Sequence, residues 1–208
     1  MPKIYTDEER ADIRARLKKE ANILMLEKGV KKTTVDELVR RAGIPKGTFY
    51  LFYPSKEMLL FDCSQDFHEQ VDEYLTEGMK SIVCKYKIDV DKKDALSGYV
   101  DEITDVIIGA MKIVQNSCLK VLLEPEAMKL ILDKLPKDVL EKHRKQDNDP
   151  QNGMFKELIS GRGMDIEEIA GAFTMVIFGS MYRQVIGEEN IDAATRYLVK
   201  GLVMQIFG

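Results

Sequence analysis

Residues 33–56 read TTVDELVRRAGIPKGTFYLFYPSK, and this stretch predicts two short helices joined by a tight turn. Thr34 is a good N-cap, and a glutamate stands three residues later, as in a capping box. Gly43 follows the last apolar residue of the first helix, where a left-handed C-terminal cap is favoured. Pro45 suits the first turn of the second helix, which we expect to run to about Tyr53. The pattern therefore predicts a helix-turn-helix.

The second helix begins with small, hydroxyl-bearing or basic residues, which suit insertion into the major groove of DNA. The residues predicted to contact bases are Lys46, Gly47, Thr48 and, against a thymine methyl group, Leu51. Those predicted to contact phosphates are Thr34, Tyr50, Tyr53 and Lys56. Asp36 and Arg40 lie on the first helix and are expected to reach the DNA backbone or a base edge. For the two tyrosines, core packing with a satisfied hydroxyl is the alternative.

The order and spacing of this stretch resemble the DNA-binding signature of the tetracycline-repressor (TetR) family from about Thr33 to Leu60. The matching positions are Thr34, Leu38, residues 42–44, residues 46–50, residues 52–54 and residues 55–57. Pro45 departs from the pattern, because members of the family often place Ser there as an N-cap. The resemblance implies an all-α fold with an N-terminal three-helix DNA-binding domain and a C-terminal helical domain for ligand binding and dimerisation.

Charge is unevenly distributed along the 208 residues, whose formal net charge is −4. Residues 1–56 hold 13 Lys and Arg against 8 Asp and Glu, whereas residues 57–208 hold 18 against 27. A basic N-terminal unit on an acidic body is typical of a protein that touches DNA at one end. We predict a DNA-binding domain over residues 1–54 and a helical effector-binding and dimerisation domain over residues 55–208.

Several classes of protein are disfavoured by the sequence. No apolar stretch reaches the ~20 residues of a membrane span, and the first residues are polar, so we expect a cytoplasmic protein without membrane contact. Cys63, Cys84 and Cys118 are far apart and are predicted to be free, buried thiols, with redox sensing as the alternative. No cofactor is expected.

Apolar periodicity predicts further helices along the chain. They are predicted at residues 6–28, 55–87 with a break near Gly78, 95–123, 126–135, 136–146, 154–160, 165–186 and 190–207, the last capped by Asn190. The turn-prone residues 147–153 are predicted to form a loop.

The family resemblance also implies an effector pocket in the body and a homodimer formed by the last two long helices. Small hydrophobic effectors need apolar clefts with few polar groups. The candidates for such a lining are Phe67, Tyr99, Ile103, Met111, Gln115, Phe155, Met175, Phe178 and Tyr182. Residues expected at the dimer interface are Phe173, Val176, Gly179, Ala194, Leu198, Gly201 and Leu202. Core packing is the alternative for most of the first set, and a monomer whose last helices form its core is the alternative for the second.

Enzymatic activity is disfavoured because the chain has only two histidines and carries no catalytic or metal-binding motif. The leading hypothesis is a transcriptional regulator, a homodimeric repressor released from a palindromic double-stranded DNA operator by a small hydrophobic effector. The alternative is a helical protein-interaction module that kept the fold without operator-specific binding.

Overall fold

The computed structural model describes residues 5–90, 92, 94–147, 157–159 and 161–208, the side chains of residues 144–147 excepted. All regular structure in these residues is helical, so the all-α prediction is confirmed. None of the helices described there combines the length and the apolar character needed to cross a membrane. The loop predicted at residues 147–153 and the helix predicted at residues 154–160 lie mostly outside the described residues.

The helices are numbered in chain order. Their bounds are α1 Asp7–Lys32, α2 Val35–Ala42, α3 Lys46–Phe49, α4 Lys56–Tyr86, α5 Val100–Asn116, α6 Leu119–Leu122, α7 Pro125–Leu132, α8 Lys137–Asp147, α9 Ile166–Met181, α10 Arg183–Ile186 and α11 Glu188–Phe207. A 3₁₀ turn, Ser97–Tyr99, precedes α5.

The chain forms two compact units. The head unit comprises Met1–His68 and Asn116–Leu140, and the body unit comprises Glu69–Gln115 and Glu141–Gly208. Helix α4 therefore contributes its first turns to the head unit and the rest to the body unit. The functional boundary predicted between residues 54 and 55 stays a prediction.

Helix α1 carries the core of the head unit. Its buried side chains are Ile13, Leu17, Ala21, Leu24, Met25 and Val30. Helices α2, α6 and α7 pack on α1, and α3 packs on α2. The apolar face predicted for the first helix is thus covered partly by the helix-turn-helix and partly by a segment about 100 residues further along the sequence.

The helix ends follow their capping residues closely. Thr6 and Glu9 form a complete capping box, with the Glu9 amide 3.2 Å from Thr6 Oγ1 and the Thr6 amide 2.9 Å from Glu9 Oε2. Thr34 Oγ1 accepts the amide of Glu37 at 3.3 Å, but the Glu37 carboxylate turns to Lys28, so the second predicted box is only half formed. Gly43 adopts φ 65° and ψ 38°, the left-handed cap that the sequence predicts.

The second helix of the motif is shorter than predicted. Pro45 stands at the N-cap instead of inside the first turn, and α3 ends at Phe49 instead of near Tyr53. After Phe49 the chain continues in turns, with Leu51 N bonded to Thr48 O at 3.1 Å. Such three-residue bonds tighten the last turn and end regular α-helix.

In the body unit, α4 and α5 approach closely at a small residue. A Cβ atom added to Gly78 would lie 2.5 Å from a methyl carbon of Val106 on α5. The break predicted at Gly78 is therefore wrong, because α4 runs unbroken through it and the glycine makes room for the neighbouring helix.

Other predicted boundaries differ from the structure because side chains compete with the helix for backbone hydrogen bonds. Ser117 Oγ accepts the Leu119 amide at 3.2 Å where the helix predicted over residues 95–123 divides into α5 and α6. Ser180 Oγ donates to Ile177 O at 2.7 Å just before the break between α9 and α10. Helix α11 begins after Gly187, so the predicted cap at Asn190 is wrong.

Candidate nucleic-acid interface

Helix α3 and the turn after it present an exposed face. Tyr50 and Leu51 are 51% and 57% exposed. Gly47 has no neighbouring atom within 4 Å of the place where a Cβ would stand. A helix start without bulk beside exposed aromatic and apolar side chains is a shape that fits a DNA groove. These three predicted DNA-contacting residues therefore lie together on one accessible surface.

Charged groups flank this face. Lys46 Nζ lies 2.8 Å from Asp36 Oδ1 on α2, and both side chains are more than half exposed. The bond to Asp36 raises the pKa of Lys46, so the ammonium stays charged well above neutral pH. The side chain of Arg40, also on α2, is 72% exposed. We call Asp36, Arg40, Lys46, Gly47, Tyr50 and Leu51 the exposed recognition face.

Three other predicted contact residues use their hydroxyl groups within the head unit. Thr34 caps α2 as described above. Thr48 is buried, and its Oγ1 lies 3.2 Å from the Tyr5 hydroxyl. Tyr53 is also buried, and its hydroxyl donates to Asp62 Oδ2 at 2.6 Å. The structure therefore favours satisfied core packing for Tyr53 and exposure for Tyr50.

Lys56 is tied to the end of α1. Its ammonium donates to Val30 O at 2.9 Å and to Thr33 O at 2.7 Å. Burial lowers the pKa of Lys56. Two of its three N–H groups thus satisfy carbonyls at a helix C-terminus, where a cation is favoured.

A polar network that the sequence analysis did not find joins α1, α4 and the chain after α3. Lys18 Nζ lies 2.7 Å from Asp66 Oδ1 and 3.1 Å from Asp62 Oδ2. Burial opposes the charge of Lys18, but the bonds to Asp66 and Asp62 outweigh it and raise its pKa. Asp62 also accepts the Tyr53 hydroxyl. The signal available in the sequence was the spacing of the two aspartates, four residues apart and hence on one face of α4.

A second unpredicted contact ties the start of α4 to the segment between α7 and α8. The Glu57 side chain is 4% exposed, and its Oε1 lies 3.1 Å from Lys134 Nζ. Cys118 Sγ in the same part of the head unit lies 3.1 Å from Asn22 Oδ1 on α1. The head unit is therefore more than a helix-turn-helix, since residues 116–140 complete its core.

The last helices carry an exposed apolar groove of about 510 Å³. Exposed side chains that line it include Met175 at 77%, Tyr197 at 80% and Leu198 at 58%. Six of the seven residues predicted for a dimer interface line this groove, namely Val176, Gly179, Ala194, Leu198, Gly201 and Leu202. We call it the α9–α11 groove. Phe173 does not line it and lies instead at a pocket between α4, α5 and α9.

The residues predicted to line an effector pocket are scattered. Met111 lines the pocket that also contains Phe173. Ile103 is buried in the body core, and Tyr99 packs against that core. The others fall elsewhere: Phe67 in the head unit, Gln115 bonded to Ser180, Phe178 half-buried, Met175 in the α9–α11 groove, Tyr182 exposed, and Phe155 outside the described residues.

The cysteines divide into two classes. Cys63 and Cys118 are buried free thiols, as predicted, whereas Cys84 is exposed. Burial raises the pKa of Cys63 well above its usual range and that of Cys118 to about 12. The two buried thiols are therefore held in their unreactive, protonated form at neutral pH.

Comparison with known proteins agrees with this geometry. Residues 19–63 match the family model described as bacterial regulatory proteins of the tetR family. The fold is similar to the crystal structure of a TetR-family transcriptional regulator from Streptomyces coelicolor, with a TM-score of 0.55 over 95% of this chain and 97% of that one, at 15% identity. No curated protein matches the sequence significantly. At that identity the structural likeness shows the fold alone, whereas the family model covers both helices of the helix-turn-helix. Residues 19–63 therefore match the DNA-binding part of the tetR family of bacterial regulatory proteins, and the chain as a whole has the fold of a TetR-family regulator.

Proposed function

We propose that the protein is a homodimeric repressor that binds a palindromic operator and is released from it by a small hydrophobic effector. The observation that carries this proposal is the exposed recognition face, where a bare helix start, an ammonium, a guanidinium and a phenol share one accessible surface. Direct base contact requires such exposed donors at the start of a recognition helix. A cytoplasmic location follows from the same proposal.

The contact residues fall into two groups under this proposal. Lys46 and Gly47 face base edges, Leu51 meets a thymine methyl group, and Arg40 and Tyr50 donate to phosphates. Thr34, Thr48, Tyr53 and Lys56 stabilise the head unit instead, since their polar groups are bonded within it.

Dimerisation through the α9–α11 groove is supported by its exposed apolar side chains. Large contiguous apolar surface on a water-exposed protein marks an interaction site. A second copy of the chain fits the need for two recognition helices, because two helices about 34–36 Å apart read one palindrome.

Effector release requires that ligand binding in the body unit change how the head unit binds the operator. Helix α4 supplies residues to both units, so a ligand-driven shift of α4 is a direct route. The change in operator affinity is bounded by the difference in ligand affinity between the two states. Members of the family are generally non-enzymatic, and we propose no reaction for this chain.

The first experiment is fluorescence anisotropy with DNA from upstream of the gene and a scrambled duplex, at two salt concentrations. We expect selective binding that weakens steeply with salt. Lys46→Ala should reduce affinity for the operator, whereas Lys92→Ala, another exposed ion-paired lysine but in the body unit, should not. Weak binding that is equal on both duplexes would favour the protein-interaction alternative.

The dimer is tested by analytical ultracentrifugation. Leu198→Glu places a charge in the α9–α11 groove and should convert the dimer to a monomer that binds the operator poorly. Leu132→Glu, at an exposed leucine of α7, is the matched control and should leave the dimer intact. A Leu198→Glu variant that stays dimeric would refute the assigned interface.

A further inference from the structure

The body unit contains a pocket of about 120 Å³ between α4, α5 and α9. Its walls come from Val71 and Leu75 on α4, Ile107 and Met111 on α5, and Phe173 on α9. Every side chain that lines it is aliphatic, aromatic or a thioether, and no polar atom is exposed to it. No side chain of this lining carries a hydrogen-bond donor or a strong acceptor.

Two polar side chains near the lining, one on α5 and one on α9, are bonded to each other. Gln115, which follows a lining residue of α5, donates its amide to Ser180 Oγ at 2.9 Å. Ser180, one turn after the lining residue Ile177, donates its hydroxyl to the Ile177 carbonyl at 2.7 Å. These groups hold α5 and α9 together and leave no hydroxyl proton for a ligand.

A pocket of this size and chemistry favours ligands that need no hydrogen-bond partner. Apolar cavities of about 150 Å³ stay dry and take up benzene or xenon. A hydroxyl or charged group brought into such a lining loses its bonds to water and gains none. Phe173 offers a ring face or edge to an aromatic ligand, and Met111 can adapt its shape to the ligand.

We propose that this pocket binds small uncharged apolar molecules, of about six to eight non-hydrogen atoms, such as a monocyclic aromatic hydrocarbon. The lining offers the polar groups of other metabolites no hydrogen-bond partner, so binding favours ligands without them. The proposal that the pocket is a binding site depends only on its volume and lining. Its role as the effector site rests on the proposed function, and α4 is the wall that also supplies residues to the head unit.

Binding is measured by isothermal titration calorimetry on the full chain, with benzene as the probe and phenol as a polar analogue of nearly the same size. We expect saturable binding of benzene, on the order of tenfold tighter than that of phenol, because the phenol hydroxyl finds no partner. Ala110→Leu fills the pocket and should abolish benzene binding. Ala170→Leu, at an exposed alanine of α9, adds the same atoms outside the pocket and should bind benzene like the parent.

Val114→Ile is the smaller change and serves if Ala110→Leu fails to fold, which circular dichroism will show. Equal affinity for phenol and benzene, or undiminished benzene binding by a folded pocket-filling variant, would overturn the assignment. The anisotropy assay separates the two proposals. If benzene binds but leaves operator affinity unchanged, the pocket is a binding site for apolar molecules but is not the effector site. If the operator is bound and benzene is not, the pocket assignment fails and the regulator stands.

Discussion

Replacing Tyr53 by Phe removes one hydroxyl group from the head unit and leaves the ring in place. That hydroxyl donates to Asp62 at 2.6 Å, in a side chain that is 6% exposed. Burial and then the bond to Asp62 raise the pKa of Tyr53, so the phenol is a donor at every ordinary pH. A hydrogen bond to a charged group contributes about 1.5–3 kcal/mol. Asp62 keeps Lys18 as a partner at 3.1 Å and is 39% exposed, so we expect a loss of about 1–1.5 kcal/mol, at or below the lower end of that range.

The assay is urea unfolding followed by circular dichroism, together with thermal unfolding, where the same loss corresponds to a shift of about 2–6 °C. Tyr50→Phe is the matched control, since it removes the same atom from a residue that is 51% exposed. Tyr50→Phe should leave the free energy of unfolding unchanged and weaken operator binding. Tyr53→Phe should lower the free energy of unfolding and leave operator affinity unchanged. The salt dependence of DNA binding should also stay the same.

This prediction is refuted if the urea midpoint of Tyr53→Phe equals that of the parent. It is also refuted if Tyr50→Phe loses as much free energy of unfolding as Tyr53→Phe does. A double-mutant cycle with Asp62→Asn isolates the pair. A coupling energy near zero would show that the hydroxyl and the carboxylate do not act on each other in solution.

Four further predictions concern other parts of the chain. Asp36→Asn releases its ion-pair partner on α3 and removes a negative charge from the exposed recognition face, so operator affinity should rise several-fold in the anisotropy assay; weaker binding would mean that the carboxylate itself contacts a base. Gly78→Ala should destabilise the protein to urea by about 1–3 kcal/mol, because a stiff valine on α5 faces the new methyl group, whereas Gly171→Ala has open space and should stabilise it by up to about 1 kcal/mol. In the native protein, Cys84 should be the thiol that iodoacetamide labels at pH 8, as checked by peptide mass spectrometry. The stability that comes from burying Cys118 as a neutral thiol should be complete below its usual pKa of 9.0 and decline as pH rises toward about 12, in urea titrations of the parent against Cys118→Ala.

The parts of the fold that sequence predicted are those set by interactions within a few residues. The capping box at Thr6, the left-handed cap at Gly43 and the long helix from residue 56 depend on spacings of three or four residues, which periodicity reads directly. The exposed part of the recognition face belongs to the same class, because its residues lie close together along the chain. Lys56 was predicted from the same local pattern, but the pattern could not show that its ammonium turns inward to the end of α1.

What sequence could not predict are the partners that meet across long separations. Lys18 and Asp66 lie 48 residues apart, and Glu57 and Lys134 lie 77 apart. A charged residue on an amphipathic helix has the same local pattern whether it faces water or a partner that another segment brings to it. Only the packing of residues 116–140 against α1 decides that Glu57 is buried and paired.

Helix α9 shows why the sequence assigned one pocket residue to the dimer interface and one groove residue to the pocket. Phe173 was predicted for the interface and lines the pocket, whereas Met175 was predicted for the pocket and lines the groove. Residues two apart on a helix lie on nearly opposite faces. The predicted orientation of α9 was therefore wrong by about half a turn. Periodicity fails here because α9 is apolar on both sides. A helix of that kind needs two apolar neighbours, and α5 with α4 supplies one of them within the body unit. On the other side α11 covers only part of the apolar surface, since Met175 remains 77% exposed. This is the surface that we assign to a second copy of the chain.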